Sequence, residues 1–338
     1  MKKKTDPALI GVSVGDPAGI GPEIVVKALM NRMYPGAQAI VFADESVLDQ
    51  AMGIIRKRAP IREIQRKEDI RIGFRGIQFV PGRVIRQSVE MGKVSRECGR
   101  AAYTYFSAAL DWALAGWIDG VATAPLQKEA LKLGGCNQLD HTGILMHKTG
   151  SADTTTLFVT GKLRVFFLTR HLPLRDVAQA VRKTDLDAAI PRCLGFLKQL
   201  GIANPKLAVA ALNPHGGEQG MFGSEEKEIL TPSIEEARRQ GRNVFGPIPA
   251  DSVFHLAKEG VYDGVISLYH DQGHIATKTL DFYKTVSLTM GLPFLRTSVD
   301  HGTAFNIAGK GVANATSMVE AIRAAARYAR RVKAFQQA

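Results

Sequence analysis

The sequence predicts an α/β fold, and three observations carry that prediction. Short apolar runs of strand length alternate with segments of helical period along nearly the whole chain. Glycine and proline stand at the joints between them, as in the GDPAGIGPE stretch of residues 15–23. Histidines recur just after strand-like runs, the place where open α/β sheets bind ligands.

Residues 8–14 read as the first strand, followed by GDPAGIGPE and a helix over 22–29 that opens on Pro22. Further strands are expected at 38–43 and, beyond the charged stretch 56–72, at 76–80. Ser95 can cap a helix running to about Ala115, with Ala102, Phe106, Ala109, Ala113 and Trp117 at helical spacing. A short strand at 120–124 ends in Pro125. Segments 155–159 and 164–168 are rich in β-formers and suit a hairpin about Thr160-Gly161-Lys162. A helix over 184–200, a strand at 206–211, a helix at 233–240, a strand at 264–268 and a closing helix from 317 to about 331 complete the pattern. No internal repeat or low-complexity linker interrupts it, so a second domain would arise by chain crossings and not by a tether.

Length and composition fit this fold. A chain of 338 residues, 45% hydrophobic and 22% charged, is long enough for two domains and can bury a sizeable core. Cys98, Cys136 and Cys193 lie far apart without CxxC spacing, which excludes a disulfide framework or zinc ribbon and suits a reducing cytoplasm. The opening MKKKTDPALIGVSVG imitates a signal peptide, but Asp16-Pro17 interrupts its apolar stretch and no small-residue cleavage site follows. No run approaches the ~18 apolar residues of a membrane span, so a soluble cytoplasmic protein is expected. The net charge of +12 could serve nucleic acid or a small anion. Its densest late cluster, Arg323, Arg327, Arg330, Arg331 and Lys333, lies on the closing helix without any RNP-like segment or zinc finger. Most of the charge therefore reads as solvated surface, and neither nucleic acid nor membrane is an expected partner.

His171 follows VFFLTR, His215 follows LAVAALNP, and His270 follows GVISLY. If these runs are strands of one sheet, three imidazoles reach a common edge, and neutral imidazole is a ready ligand for Zn²⁺ and similar ions. Three such ligands with an open position make a catalytic arrangement, although any one of these could be an ordinary loop histidine. The segment VDHGTAFNIAGKGVANATSMVEAI, residues 299–322, joins His301 and several glycines to a long helix. Its glycines let backbone approach a phosphate or flat ring, and a plain glycine-rich loop capped by Asn314 fits equally well. GDPAGIGPE is neither a dinucleotide fingerprint nor a Walker loop, so it is an anion site or a tight structural turn. NQLDHTGIL places Asp140, His141 and Thr142 in a loop, and GLPFLRTS places Arg296 beside a strand-like segment. With Lys278 these are donors suited to phosphate or carboxylate. In NPHGGEQGMFGSEE only His215 reads as a candidate, since acids opening a helix are usually dipole partners.

Together GDPAGIGPE, ATAPLQKEAL, HT at 141–142, NPHGGEQGMFGSEE, GPIPAD, YHDQGH and GLPFLRTSVDHGTA resemble the 4-hydroxythreonine-4-phosphate dehydrogenase (PdxA) family across residues 15–315. HGTAFNIAGKGVANA is also similar to the cofactor loop of isocitrate and isopropylmalate dehydrogenases. The resemblance implies two α/β/α domains with the active site in an interdomain cleft. Residues 1–125 with 306–338 would form the first domain, and 126–305 the second, carrying most metal and substrate residues. It implies a homodimer and NAD-dependent oxidation of a phosphorylated β-hydroxy acid followed by decarboxylation. Carried onto matching positions, His171, His215 and His270 would bind a divalent metal (Zn, or else Mg, Mn or Co), His270 entering from the other subunit. His141, Thr142, Lys278, Ser287 and Arg296 fall on substrate contacts, and His301, Gly302, Asn306, Gly309 and Asn314 on the cofactor loop. Asp271 would orient a metal ligand, while Asp251, Asp271 and Lys278 are the candidate general bases. His274 matches no role. The family's usual glutamate after His-Thr is Gly143 here, and its substrate-contacting asparagine is Ser287. Within the family, the resemblance leans toward the branch acting on 4-phospho-D-threonate or 4-phospho-D-erythronate rather than the vitamin B6 precursor. The alternatives are a terephthalate-type cis-dihydrodiol dehydrogenase and a phosphotransacylase-like enzyme.

Overall fold

A strand buried on both faces must be apolar throughout, and such strands alternate with amphipathic helices in the computed structural model, which describes residues 6–30, 34, 36–151 and 154–337. The strands are β1 (Ala8–Ser13), β2 (Ala37–Phe42), β3 (Ile61–Glu63), β4 (Ile77–Val80), β5 (Gly120–Thr123), β6 (Thr155–Thr160), β7 (Leu163–Phe167), β8 (Leu207–Ala210), β9 (Val244–Ile248), β10 (Gly264–Ser267), β11 (Val286–Met290) and β12 (Leu295–Val299). The helices are α1 (Gly21–Met30), α2 (Glu45–Ile54), α3 (Arg96–Leu114), α4 (Lys128–Leu133), α5 (His141–Thr149), α6 (Leu174–Ala180), α7 (Lys183–Gln199), α8 (Thr231–Arg239), α9 (Ala250–Glu259), α10 (His270–Leu280) and α11 (Thr316–Gln337). The chain falls into two compact units, Met1–Thr154 with Gly291–Ala338, and Thr155–Met290.

The first unit is a parallel sheet in the order β3-β4-β2-β1-β5-β12. Its interior strands bury their apolar side chains completely, as at Ile10, Val12, Ile40, Val41, Val121 and Ala122. Ser95 caps α3 by accepting the Cys98 N–H at 3.1 Å, and Ala102, Phe106, Ala109 and Ala113 line its buried face. The helix stops at Leu114, so Trp117 lies beyond it and instead meets Trp112 edge-on at 5.1 Å. The loop after β4 is knotted to β2 by the buried Asp44, whose carboxylate accepts the N–H groups of Arg83, Val84 and Ile85 and the Tyr105 hydroxyl. The basic cluster on α11 is largely spent within the unit. Arg323 pairs with Glu320, Arg330 with Asp119, and Arg327 lies over the Tyr328 ring.

The second unit has the order β11-β6-β7-β10-β8-β9. The hairpin β6–β7 and the β11–β6 pair are antiparallel, while β7, β10, β8 and β9 run parallel. Gly273 lets α10 rest directly on β7, since a Cβ there would come within 2.6 Å of the Phe167 ring.

Several expectations are corrected. The compact units divide at 154/155 and 290/291, where the resemblance implies approximate boundaries at 125/126 and 305/306. After Pro125 the chain continues through α4 and α5, both packed on α3, and β12 pairs with β5, so these segments stay with the first unit. The stretch 56–72 holds the short edge strand β3, too polar to stand out. The segment around His141 is no loop: Asp140 caps α5 by accepting the Gly143 N–H at 2.8 Å. Residues 1–5 lie outside the described set. Among the described residues no helix is long and apolar enough to cross a membrane.

Candidate functional site

Within the second unit, β7, β10 and β8 are neighbouring parallel strands, and their carboxyl ends lead into His171, His270 and His215. Gln272 ties two of these ends together. Its Oε1 accepts the Leu268 N–H and its Nε2 donates to the Ala211 carbonyl, both at 2.8 Å. His270 begins α10, with its Nδ1 2.7 Å from Asp271 Oδ1. A carboxylate accepts only, so Nδ1 carries a hydrogen toward Asp271, and Nε2 is the nitrogen that the neutral ring offers as a lone-pair donor. The His171 and His270 ring centres are 5.8 Å apart. Among the described residues, no three His, Cys, Asp or Glu side chains group closely enough in the single chain to hold a metal ion.

His274 and Lys278 follow His270 at intervals of four on the same helix face. His274 is 9% exposed, stacked on Phe167 at 4.8 Å, edge-on to Phe158 at 4.3 Å and 4.1 Å from the His270 ring. Burial first, and then the electrostatic influence of the neighbouring His270 and Lys278, push its imidazole down to about 4. It therefore stands as a neutral ring packed behind His270. Lys278 lies over the Phe282 ring at 5.2 Å. Ser287 is buried on β11, paired with Phe158 across the ladder, and Asp251 sits in the first turn of α9. Ser252 Oγ donates to Asp251 Oδ1 at 3.1 Å.

His215 is held in an unusual backbone. His215, Gly216, Gly217, Glu218 and Gln219 form a continuous left-handed run, with φ of 52°, 71°, 80°, 44° and 59°. For each of the three non-glycine residues this costs on the order of 1–2 kcal/mol. The stabilising group is Glu226, 5% exposed, whose Oε1 accepts the N–H groups of Leu212 at 2.8 Å and Asn213 at 2.7 Å. Its Oε2 accepts from Asn213 Nδ2 at 2.8 Å. Hydrogen bonds to a charged acceptor contribute about 1.5–3 kcal/mol each, enough to offset that strain. Glu226 thus departs from the expectation of a solvated acid at a helix start. It precedes α8 and is turned inward.

In the first unit, β12 places Arg296, 6% exposed, so that Nε and a terminal nitrogen donate to Thr123 Oγ1 on β5 at 3.0 and 2.6 Å. Burial pulls its guanidinium down to about 9, and the nearby Asp140 opposes that shift. His141 presents a ring edge-on to Phe106 at 5.0 Å; although the residue is partly exposed, its Nε2 is sealed from solvent without a partner. Burial and the Arg296 charge hold that imidazole well below its usual range. A buried cation beside an unpartnered ring nitrogen is chemically suited to an incoming anion with a hydrogen-bonding oxygen. Thr142 lies exposed in the first turn of α5 beside them. At Gly143 a Cβ would meet only ordinary contacts of 3.4 Å or more, so the missing side chain is not imposed by the backbone.

The loop 301–315 is pinned from α1. Glu23 Oε1 accepts the Ala313 N–H at 2.8 Å and Lys27 Nζ at 2.7 Å, and Lys27 also donates to the carbonyls of Gly311 and Ala313. Asn314 Oδ1 accepts the Thr316 N–H at the start of α11. Asn306 and Gly302 are exposed, nothing lies within 4 Å of a Cβ built on Gly302, and His301 Nδ1 is 3.0 Å from the Gly302 carbonyl. Gly309 takes a φ of 79° against Met91. The GDPAGIGPE turn resolves toward structure: the N–H groups of Asp16, Ala18, Gly19 and Ile20 all bond within the protein, which leaves that turn little with which to bind an anion.

Sequence reasoning overlooked Glu226, the burial of His274, the Thr123 partner of Arg296, and Asp16. Asp16 Oδ1 accepts the Ala18 N–H at 2.9 Å, its Oδ2 is buried without a partner, and burial raises the carboxyl to about 6. None of these had a signal other than residue type, since burial and partners are set by the folded chain.

The fold and these clusters define an α/β protein that gathers polar side chains at the carboxyl ends of its strands, the ligand-binding arrangement of open parallel sheets. The family model described as pyridoxal phosphate biosynthetic protein PdxA matches residues 36–325, and the chain belongs to that family. A protein of Clostridium botulinum (strain Hall), provisionally named a D-threonate 4-phosphate dehydrogenase, is 46% identical over 327 residues, 96% of this chain and 98% of that protein. The crystal structure of 4-hydroxythreonine-4-phosphate dehydrogenase from Klebsiella pneumoniae superposes with a TM-score of 0.89 at 38% identity, covering 97% of this chain and 99% of that one. A terephthalate 1,2-cis-dihydrodiol dehydrogenase from Burkholderia xenovorans LB400 is more distant, with a TM-score of 0.64 and 28% identity over 97% of this chain and 98% of that one.

Proposed function

We propose that this protein is a cytoplasmic NAD- and divalent-metal-dependent dehydrogenase. It oxidises and decarboxylates a 4-phosphorylated hydroxy acid, with 4-phospho-D-threonate or 4-phospho-D-erythronate ahead of 4-hydroxythreonine 4-phosphate. The observation that carries the reading is the trio His171, His270 and His215 following three neighbouring parallel strands in a PdxA-family chain. Relatives named for 4-phosphate substrates lie nearer in identity than the dihydrodiol enzyme, which favours the phosphorylated acid.

Imidazole nitrogens suit zinc and its neighbours, and the His270 Nε2 is left free by the Asp271 bond. The proposed set is His171 and His215 with His270 from a second copy, in a homodimer; among the described residues, one chain does not bring three such donors together. A metal held there would supply Lewis acidity toward the substrate's oxygens, and NAD would supply the hydride acceptor. Arg296 holds the substrate's phosphate: a cation already stripped of water gains most from a dianion. His141, neutral beside it, and Thr142 add hydrogen bonds, and Ser287 contacts the acid. Lys278 takes the hydroxyl proton as general base, a role open to it only as the neutral amine. Asp271 is occupied in orienting His270, and Asp251 has Ser252 as its partner. His301, Gly302, Asn306, Gly309 and Asn314 shape the cofactor loop.

The test follows NADH absorbance with each 4-phosphorylated acid and with the dihydrodiol, in the presence of Zn²⁺, Mn²⁺, Mg²⁺ or Co²⁺. Turnover of a phosphorylated acid is expected, abolished by exhaustive chelation and in His215→Ala with folding intact. Turnover confined to the dihydrodiol, or full activity after chelation, overturns the reading.

A further inference from the structure

The left-handed run His215–Gln219 is strained at three exposed side chains, His215, Glu218 and Gln219, none of which belongs to the buried core. Strain placed where nothing packs serves the direction in which the chain presents a group. The group at its head is His215. Beneath the run, three donors converge on one carboxylate: the N–H groups of Leu212 and Asn213 and the side-chain amide of Asn213, all on Glu226. That carboxylate also lies directly under the middle of the turn, for a Cβ on Gly217 would meet Glu226 Oε2 at 2.8 Å. The strand side is fixed as well, with the Ala211 N–H on Ile248 and its carbonyl on Gln272. Only an acceptor at both oxygens satisfies this set; a glutamine would turn an amide N–H toward a donor.

We propose that Glu226 is a positioning residue, a buried carboxylate that holds the left-handed loop in the one conformation that presents His215 to a divalent metal. This rests on the reading above that His215 is a metal ligand. Glu226 touches neither substrate nor metal, and its contribution is the pre-arrangement of a donor.

The test uses the full-length protein freed of metal, with Zn²⁺ and Co²⁺ affinities measured by competition with a chromophoric chelator. Glu226→Gln, Asn213→Ala and His215→Ala are compared with wild type, and thermal unfolding monitors the fold. Removing a residue that orients a metal ligand costs about 10- to 100-fold in metal affinity. Glu226→Gln is expected in that range, and Asn213→Ala, which removes the side-chain bonds to Glu226 and Glu225 but leaves both backbone N–H bonds to Glu226, weakens binding less. At saturating metal the kcat of both variants returns toward wild type, whereas general damage to the fold lowers kcat at every metal concentration. If Glu226→Gln is folded and binds metal as tightly as wild type while His215→Ala does not, the positioning role is overturned and the ligand reading stands. If His215→Ala itself keeps wild-type affinity, the ligand reading falls. Should Glu226→Gln fail to fold, unchanged affinity in Asn213→Ala overturns the proposal and weakened affinity with restored kcat supports it.

Discussion

Asp16→Asn should remove a pH dependence from the stability of the protein. Asp16 is 1% exposed at the end of β1, with one oxygen bonded to the Ala18 N–H and the other buried without a partner. Burial raises its carboxyl from 3.8 to about 6, partly opposed by that hydrogen bond. A folded pKa above the unfolded one means that the native state binds the proton more tightly. The resulting stabilisation is fully present below the unfolded pKa of 3.8 and is lost as pH rises through about 6. At about pH 5 the two proton-binding terms differ by roughly tenfold, or about 1.4 kcal/mol, and at about pH 7.5 by almost nothing. Asparagine keeps the Ala18 bond and cannot titrate. Relative to the variant, wild type should therefore lose about 1.4 kcal/mol between about pH 5 and about pH 7.5. Urea unfolding of both proteins at the two pH values measures this as a shift in the gap between their midpoints, at constant slope. A gap that stays the same, or that favours wild type at the higher pH, refutes the argument that burial dominates at Asp16.

Two further outcomes concern the proposed chemistry. Lys278→Ala should lower kcat if Lys278 moves the hydroxyl proton and chiefly raise KM if it only binds charge; no change in either removes it from the site. Asn306 can bond a ribose hydroxyl but has no charge to repel a 2′-phosphate, so NAD should be preferred to NADP by a modest margin that Asn306→Asp widens. The ratio of kcat/KM for the two cofactors decides it, and a wild-type preference for NADP contradicts the assignment.

The strands that carry the fold were legible because a strand buried on both faces must be apolar, as β1, β5, β8 and β10 are. The histidines were legible for the same reason: His171, His215 and His270 interrupt sequence just after such runs. Helices α5 and α10 were not, because His141, Thr142, His270 and Asp271 open them, and a polar first turn looks like loop. The ladder order that makes β7, β10 and β8 neighbours has no local signal at all. It follows from pairings between segments 57 and 100 residues apart, Val265 with Ala208 and Val265 with Val165.

The acids show most sharply what sequence pattern omits. Burying a carboxylate is unfavourable unless its oxygens are bonded. Asp44 and Glu226 meet that condition by collecting N–H groups from other loops, at 83–85 and 212–213, while Glu23 is bonded through Oε1 alone, to the Ala313 N–H and Lys27. In sequence, Asp44 and Glu226 each stand just before or at the opening of a helical segment and Glu23 within a first turn, where acids commonly serve the helix dipole from solvent. The same residue type at the same local position therefore has two roles, and only the approach of a distant loop with free N–H groups separates them. This is why the donors were found first and the group proposed to aim one of them was not. The imidazole of His215 has a recognisable neighbourhood in sequence, whereas Glu226 has its meaning only through Leu212 and Asn213. Asp16 lacks such a set: the Ala18 N–H is the bond to one oxygen, the other is unbonded, and burial makes its charge cost the protein stability at neutral pH.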